Sequence, residues 1–191
     1  MSDAFFEQLP NMNSVEILNL AKNRFLPPKI QVWLAKNAPL RARYYLAKTE
    51  GICQDSITVL KSGKSYLIRG LLVQSGNIKD PQEIREIYKE IRSKTHDNEW
   101  RLSSLFVETS SGYSGLRGGV VKDTPSDVIE DIFDHSFQRF MKNKYAGYFL
   151  HRVIRHPNVT AKIAIQLSQQ NINPTLQKLG FEVLAKLNSK K

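Results

Sequence analysis

The chain has 191 residues, 41% hydrophobic and 24% charged, with 28 Lys and Arg against 18 Asp and Glu. That length and apolar content suit one large domain or two small ones and exclude disorder over most of the chain. A single cysteine, Cys53, excludes an internal disulfide and a Cys-rich zinc module, no run approaches the roughly 18 apolar residues of a membrane span, and the opening MSDAFFEQLP lacks the basic-then-apolar order of a secretory signal. The expectation is a cytoplasmic protein that needs neither metal nor cofactor.

The net charge of +10 is unevenly spread. Residues 1–76 carry ten basic and five acidic side chains, residues 77–140 nine and twelve, and residues 141–191 nine basic side chains against Glu182 alone. Two basic ends flanking an acidic middle favour polyanions or acidic protein surfaces as partners.

Along the first 76 residues the chain matches itself at an interval of 26: Leu20, Leu46 and Leu72 fall in register, as do Leu34 with Leu60 and Arg43 with Arg69. The recurring core reads NLAKN, WLAKN, YLAKT and LLVQS, which predicts pairs of short helices. Pro27-Pro28 and Pro39 stand where helices start, and Gly51, Gly63 and Gly76 where they stop. Asp80-Pro81 with Glu83 opens a helix whose Ile84, Ile87, Tyr88 and Ile91 share one face. Residues 101–107, RLSSLFV, read as a short strand or a helix end, and the following Gly112, Gly115, Gly118 and Gly119 among serines read as a mobile loop. Thr124-Pro125 with Asp127 opens the next long helix, with Val128, Ile129, Ile132, Phe133, Phe137, Phe140 and Met141 on its apolar side. Asn173-Pro174 opens the last helix, with Leu176, Leu179, Gly180, Val183, Leu184 and Leu187 on its stripe.

The alternation of LAKN-type helices with Pro- or Gly-bounded connectors resembles leucine-rich-variant and HEAT-like α-solenoids. RHPNVTAKIAIQLSQQ, with His156-Pro157-Asn158 as connector and Ile163 and Leu167 inside, is similar to the same pattern. The resemblance covers residues 14–76 and about 145–188. It implies an all-α, short solenoid of paired helices, interrupted by a Gly/Ser-rich loop insertion. Members of these groups are mostly scaffolds for protein or nucleic-acid partners, and one HEAT-like branch contains DNA glycosylases. The expected organisation is N-terminal repeats at 1–76, a connecting helix and joint at 77–125, and C-terminal repeats at 126–191.

Catalytic patterns are scarce. Lys61-Ser62-Gly63-Lys64-Ser65 ends like a phosphate-binding loop, but position 58 is Thr where that loop needs its first glycine, so a helix-to-helix turn is expected. His96, His135, His151 and His156 offer no metal spacing; Asp131 and His135 lie one helical turn apart and could orient an imidazole as a base. A glycosylase would need a carboxylate beside aromatics, for which Trp33, Trp100 and Asp55 are the candidates.

Basic residues interleaved with tyrosines are more suggestive, because cations neutralise phosphates while tyrosine rings stack on bases. Arg41, Arg43, Tyr44, Tyr45, Lys48, Lys64, Tyr66 and Arg69 form one group; Lys142, Lys144, Tyr145, Tyr148, Arg152, Arg155 and Lys162 form another, with Arg117 in the glycine-rich loop. The functional expectation is a non-catalytic module that presents these cations to DNA, RNA or a nucleoprotein assembly. The alternative is a protein–protein adaptor that docks an acidic partner.

Overall fold

The structure is a computed structural model and describes residues 3–95, 99–107, 121–142 and 149–189. The protein is all-α: among the described residues every regular element is a helix and there is no strand. Residues 108–120 of the Gly/Ser-rich joint expected near 108–123, Arg117 among them, and the segment holding Lys144, Tyr145 and Tyr148 lie outside the described residues, as does His96. The chain divides into two compact units, Met1–Lys79 and Asp80–Lys191.

In the first unit, α1 (Asp3–Gln8) and a 3-10 turn (Leu9–Asn11) precede α2 (Ser14–Ala21), α3 (Pro28–Asn37), α4 (Leu40–Ala47), α5 (Gln54–Ser62) and α6 (Tyr66–Gln74). The helices start where the punctuation places them. Asn13 and Glu16 form a reciprocal capping box on α2, Pro28 opens α3, and Pro39 immediately precedes α4. Gly51 and Gly76 adopt φ of 71° in the turns after α4 and α6, a left-handed conformation that a Cβ would strain.

α2, α4 and α6 begin at residues 14, 40 and 66, and α3 and α5 at 28 and 54, the same interval of 26 in both sets. α2 packs on α4 and α4 on α6, while α3 packs on α5. Leu34, Leu46, Leu60 and Leu72 are buried as the register requires, but Leu20 is only half-buried. Leu20 sits on α2, which has a packed successor in α4 but no predecessor of its own kind. A set the sequence pattern did not single out, Leu26, Ile52 and Ile78, plugs the turn after each of α2, α4 and α6 at 5%, 5% and 3% exposure.

These turns are stitched to one another. Gln31 Nε2 donates to the Leu26 carbonyl and its Oε1 accepts from the Cys53 N–H, at 2.7 Å each. Asn77 Oδ1 accepts from Gly51 N–H at 3.0 Å and its Nδ2 donates to the Thr49 carbonyl at 2.8 Å. Ser75 Oγ donates to the Ala47 carbonyl at 2.8 Å. Backbone groups left over at helix ends are thereby satisfied by side chains of the neighbouring turn.

The second unit contains α7 (Pro81–Thr95), α8 (Glu99–Phe106), α9 (Ser126–Lys142), α10 (Leu150–Val153), α11 (Ala161–Gln169) and α12 (Pro174–Asn188). RLSSLFV belongs to α8 and the turn after it, which removes the strand alternative. Asp80 Oδ1 caps α7 through the Glu83 N–H at 2.7 Å, and Asn173 Oδ1 caps α12 through the Leu176 N–H at 3.1 Å. Thr124 is not a cap: α9 starts at Ser126, and the buried Thr124 hydroxyl donates to the Phe106 carbonyl at 2.6 Å. The α9 stripe is buried at Val128, Ile129, Ile132, Phe133 and Phe140, whereas Met141 is 50% exposed at the helix end. Among the described residues no helix is long and apolar enough to cross a membrane.

Candidate nucleic-acid interface

Arg41 and Arg43 lie in the first turn of α4, and Arg69 in the first turn of α6. Lys64 occupies the turn between α5 and α6, since Lys61-Ser62-Gly63-Lys64-Ser65 closes one helix and opens the next. The Tyr44 hydroxyl stands 3.4 Å from Ser65 Oγ, so the first half of α4 adjoins this turn. Arg69 Nη1 donates to the Gly63 carbonyl at 2.6 Å and to the Lys61 carbonyl at 3.3 Å, capping the C-terminal end of α5. Arg69 therefore builds the turn that carries Lys64. Arg43 is half-buried and its Nε is covered without a hydrogen-bond partner, while Arg41 and Lys64 are exposed.

Lys48 is the C-cap of α4, at the opposite end of that helix, roughly 10 Å away by helical rise. It belongs to a second edge formed by the turns after α2, α4 and α6. There Lys22 Nζ lies over the Tyr45 ring, 5.4 Å from its centroid, and Arg24 and Phe25 in the turn after α2 and Lys29 at the start of α3 are exposed. Phe25 is 90% exposed. Phe25, Arg24 and Lys29 stand outside the basic groups that the sequence marks out; the signal in the sequence is an aromatic residue at a turn position whose partners at the 26 interval, Gly51 and Asn77, are not apolar.

The electrostatics of the two units differ in kind. In residues 3–79, Arg24, Lys29, Lys36, Arg41, Lys48 and Lys64 are exposed and make no ion pair with any described carboxylate. In the second unit the acids of α9 are taken up by cations of neighbouring helices. Arg85 pairs with Asp127 at 2.8 Å and Arg92 with Asp131 at 2.9 Å, both from α7. The hydrogen bond to Arg85 holds the Asp127 carboxyl below the usual range, and that to Asp127 raises the Arg85 guanidinium. The Tyr88 hydroxyl also donates to Asp131; burial, then this bond, raise its pKa, so the phenol stays protonated. Asp131 is thus committed to α7, and the residue pair Asp131 and His135 does not stand as an isolated acid–base couple.

Lys162 of α11 contacts Asp134 at 2.9 Å and Glu130 at 3.7 Å on α9, and its ammonium is raised chiefly by the Asp134 bond. Of the other cations expected in this unit, Lys142 ends α9 and is exposed, Arg152 is half-buried in α10, and Arg155 is exposed just after it. Neighbouring His151 is held below its ordinary pKa, first by burial and then by Arg155.

His156 is buried at 1% exposure with both ring nitrogens engaged. Nδ1 accepts from the Asn158 N–H at 3.1 Å, which assigns the proton to Nε2, 2.9 Å from the Val121 carbonyl it donates to. Asn158 Nδ2 donates to the carbonyls of Lys122 and Thr124 at 2.9 and 2.8 Å. The His-Pro-Asn connector is therefore a clamp on residues 121–124, and its histidine has a structural place rather than a metal-binding one. Trp33 is half-buried in α3 and Asp55 exposed in the first turn of α5, where Val59 rather than Asp55 is the residue in register with Trp33; the Trp100 side chain lies outside the described residues.

Compared with protein-family models, curated proteins and solved structures, the chain matches none of them.

Proposed function

We propose that this chain is a non-catalytic binding module of the cytoplasm, a short α-solenoid of the HEAT-like kind that grips a nucleic-acid backbone along the cations of residues 3–79. The shared interval of 26 residues and the side-by-side packing of α2, α4 and α6 support the solenoid part of this reading. The observation that carries the functional part is the set of exposed, unpaired cations at helix ends and turns, headed by Arg41, Lys48 and Lys64. A cation already paired gains little from a phosphate, because it must first leave its carboxylate. An unpaired one releases a counterion for each phosphate it neutralises.

A second reading, an adaptor for an acidic protein, draws support from Val15 and Leu40, which are 66% and 45% exposed in the first turns of α2 and α4. Fluorescence anisotropy with unrelated DNA and RNA oligomers separates the two. Contact with roughly five phosphates gives a log–log salt slope of about −3.5 to −4.5. Replacing Arg41→Glu and Lys64→Glu together lowers affinity at least tenfold at low salt and flattens the slope by about 1 to 2, with the helical spectrum unchanged. No binding to generic oligomers at low salt would overturn the nucleic-acid reading and leave the adaptor.

A further inference from the structure

The geometry points to Phe25 as a stacking platform for an unpaired nucleobase, with Lys22, Arg24 and Lys48 taking the flanking phosphates, so that the preferred ligand is single-stranded. This rests on the nucleic-acid reading above and names its substrate class.

The local sequence holds the ring out. The Phe25 N–H donates to Asn23 Oδ1 at 2.9 Å, a side-chain turn that fixes residues 23–25. Leu26 then goes inward, 5% exposed, with its carbonyl bonded to Gln31, and Pro27-Pro28 restrict the backbone that follows. A large apolar side chain immediately before an inward leucine and two prolines is left 90% in solvent. The residues in register, Gly51 and Asn77, bond to each other across their turns. Phe25 therefore does not occupy a core position that has lost its cover.

The charges carried by this part of the chain select the ligand. Lys22 lies over Tyr45 of α4, which brings the end of α2 against the helix that Lys48 terminates. Arg24 and Lys48 are exposed and pair with no described carboxylate, and residues 17–49 contain no acidic side chain. An exposed π face in an acid-free segment with unpaired cations matches a base attached to its phosphates: stacking is tolerant of base identity, and the cations follow the backbone. A duplex keeps its base faces stacked internally and offers the cations a backbone but offers Phe25 nothing. An acidic peptide would satisfy the cations, and the flat ring would add no requirement for a base.

The test uses the full chain, a labelled single-stranded oligomer of about 15 nucleotides and a duplex of the same length, at two salt concentrations. The wild type is expected to prefer the single strand. Phe25→Ala should lose roughly five- to hundredfold in affinity for the single strand. Its salt slope and duplex affinity should stay unchanged, and Phe25→Trp should restore binding. Being exposed, the residue can be replaced without loss of the fold, and circular dichroism checks this. Equal single-strand affinity for wild type and Phe25→Ala would overturn the stacking site while leaving the nucleic-acid reading in place. An equal loss toward single strand and duplex would also overturn it. Failure of the wild type to bind either oligomer at low salt would overturn both, and an acidic protein partner would take their place.

Discussion

At the scale of single residues the second unit depends on an uncharged His156. Burial holds this imidazole below its ordinary value of 6.5, the Val121 carbonyl opposing that shift, and Nδ1 is occupied as an acceptor. As pH falls below 6.5, the unfolded chain takes up a proton that the native state refuses, so stability is present above that pH and declines below it until the lower native pKa is reached. His151 shifts in the same direction and adds to the decline. The expected outcome is a thermal midpoint that drops between about pH 7 and pH 5, where carboxylates are still ionised. A His156→Gln variant, which keeps a donor and an acceptor, should show a shallower drop. A midpoint that is flat across this range in the wild type would mean that the clamp tolerates the imidazolium.

At the scale of elements, α11 and α12 approach through Gly180. A Cβ built there would stand 2.5 Å from Ser168 N and 2.9 Å from Ala164 O, both backbone atoms of α11. Alanine is the better helix former by about 1 kcal/mol, so propensity alone would favour Gly180→Ala. Backbone cannot swing aside as a side chain does, and forcing the helices apart costs roughly 1–3 kcal/mol, so destabilisation should win. Urea denaturation of Gly180→Ala decides the sign; a more stable variant would mean that the helix pair can spread at no cost. The same closeness has a counterpart on the rest of α12: only Leu176 and Gly180 of its expected stripe are buried, while Leu179, Val183, Leu184 and Leu187 are half-buried and Phe181 is 57% exposed. A helix seated by one glycine against one neighbour covers a narrower stripe than its apolar residues could fill.

At the scale of the whole molecule, the surplus of ten positive charges is partitioned by pairing as well as by position. Four of the thirteen acidic residues of the second unit lie on α9, and these four, Asp127, Glu130, Asp131 and Asp134, each face a cation from α7 or α11. Lys162, which belongs to the basic group by sequence, spends its charge on two of them. Lys162→Glu should therefore lower the unfolding midpoint through like-charge contact with Asp134, yet leave oligonucleotide affinity within about twofold. The Arg41→Glu, Lys64→Glu pair should do the reverse. Comparing both variants in melting and anisotropy tests whether pairing, and not charge count, selects the binding cations; a tenfold loss of affinity in Lys162→Glu would show that it does not.

Much of the fold was legible in the sequence because its determinants are local. Pro28, Asp80 and Asn173 mark helix starts through geometry within four residues, and the interval linking Leu46 to Leu72 reports equal helix-pair lengths that the chain realises as equal helix starts. The composition of the basic segments was equally plain. What the sequence could not reveal are choices between distant groups. Thr124 looks like a cap until the Phe106 carbonyl, 18 residues earlier, claims its hydroxyl. Asp131 could serve His135 one turn away or Arg92 and Tyr88 on another helix, and only packing brings the latter pair within reach. Phe25 reads as one more apolar residue until the turn around it points Leu26 inward and leaves the ring outside. Local sequence determines where helices begin and end, since capping and proline effects act within a turn; which charges remain unpaired and which rings stay exposed is decided by contacts between residues far apart in the chain, and those exist only in the tertiary structure.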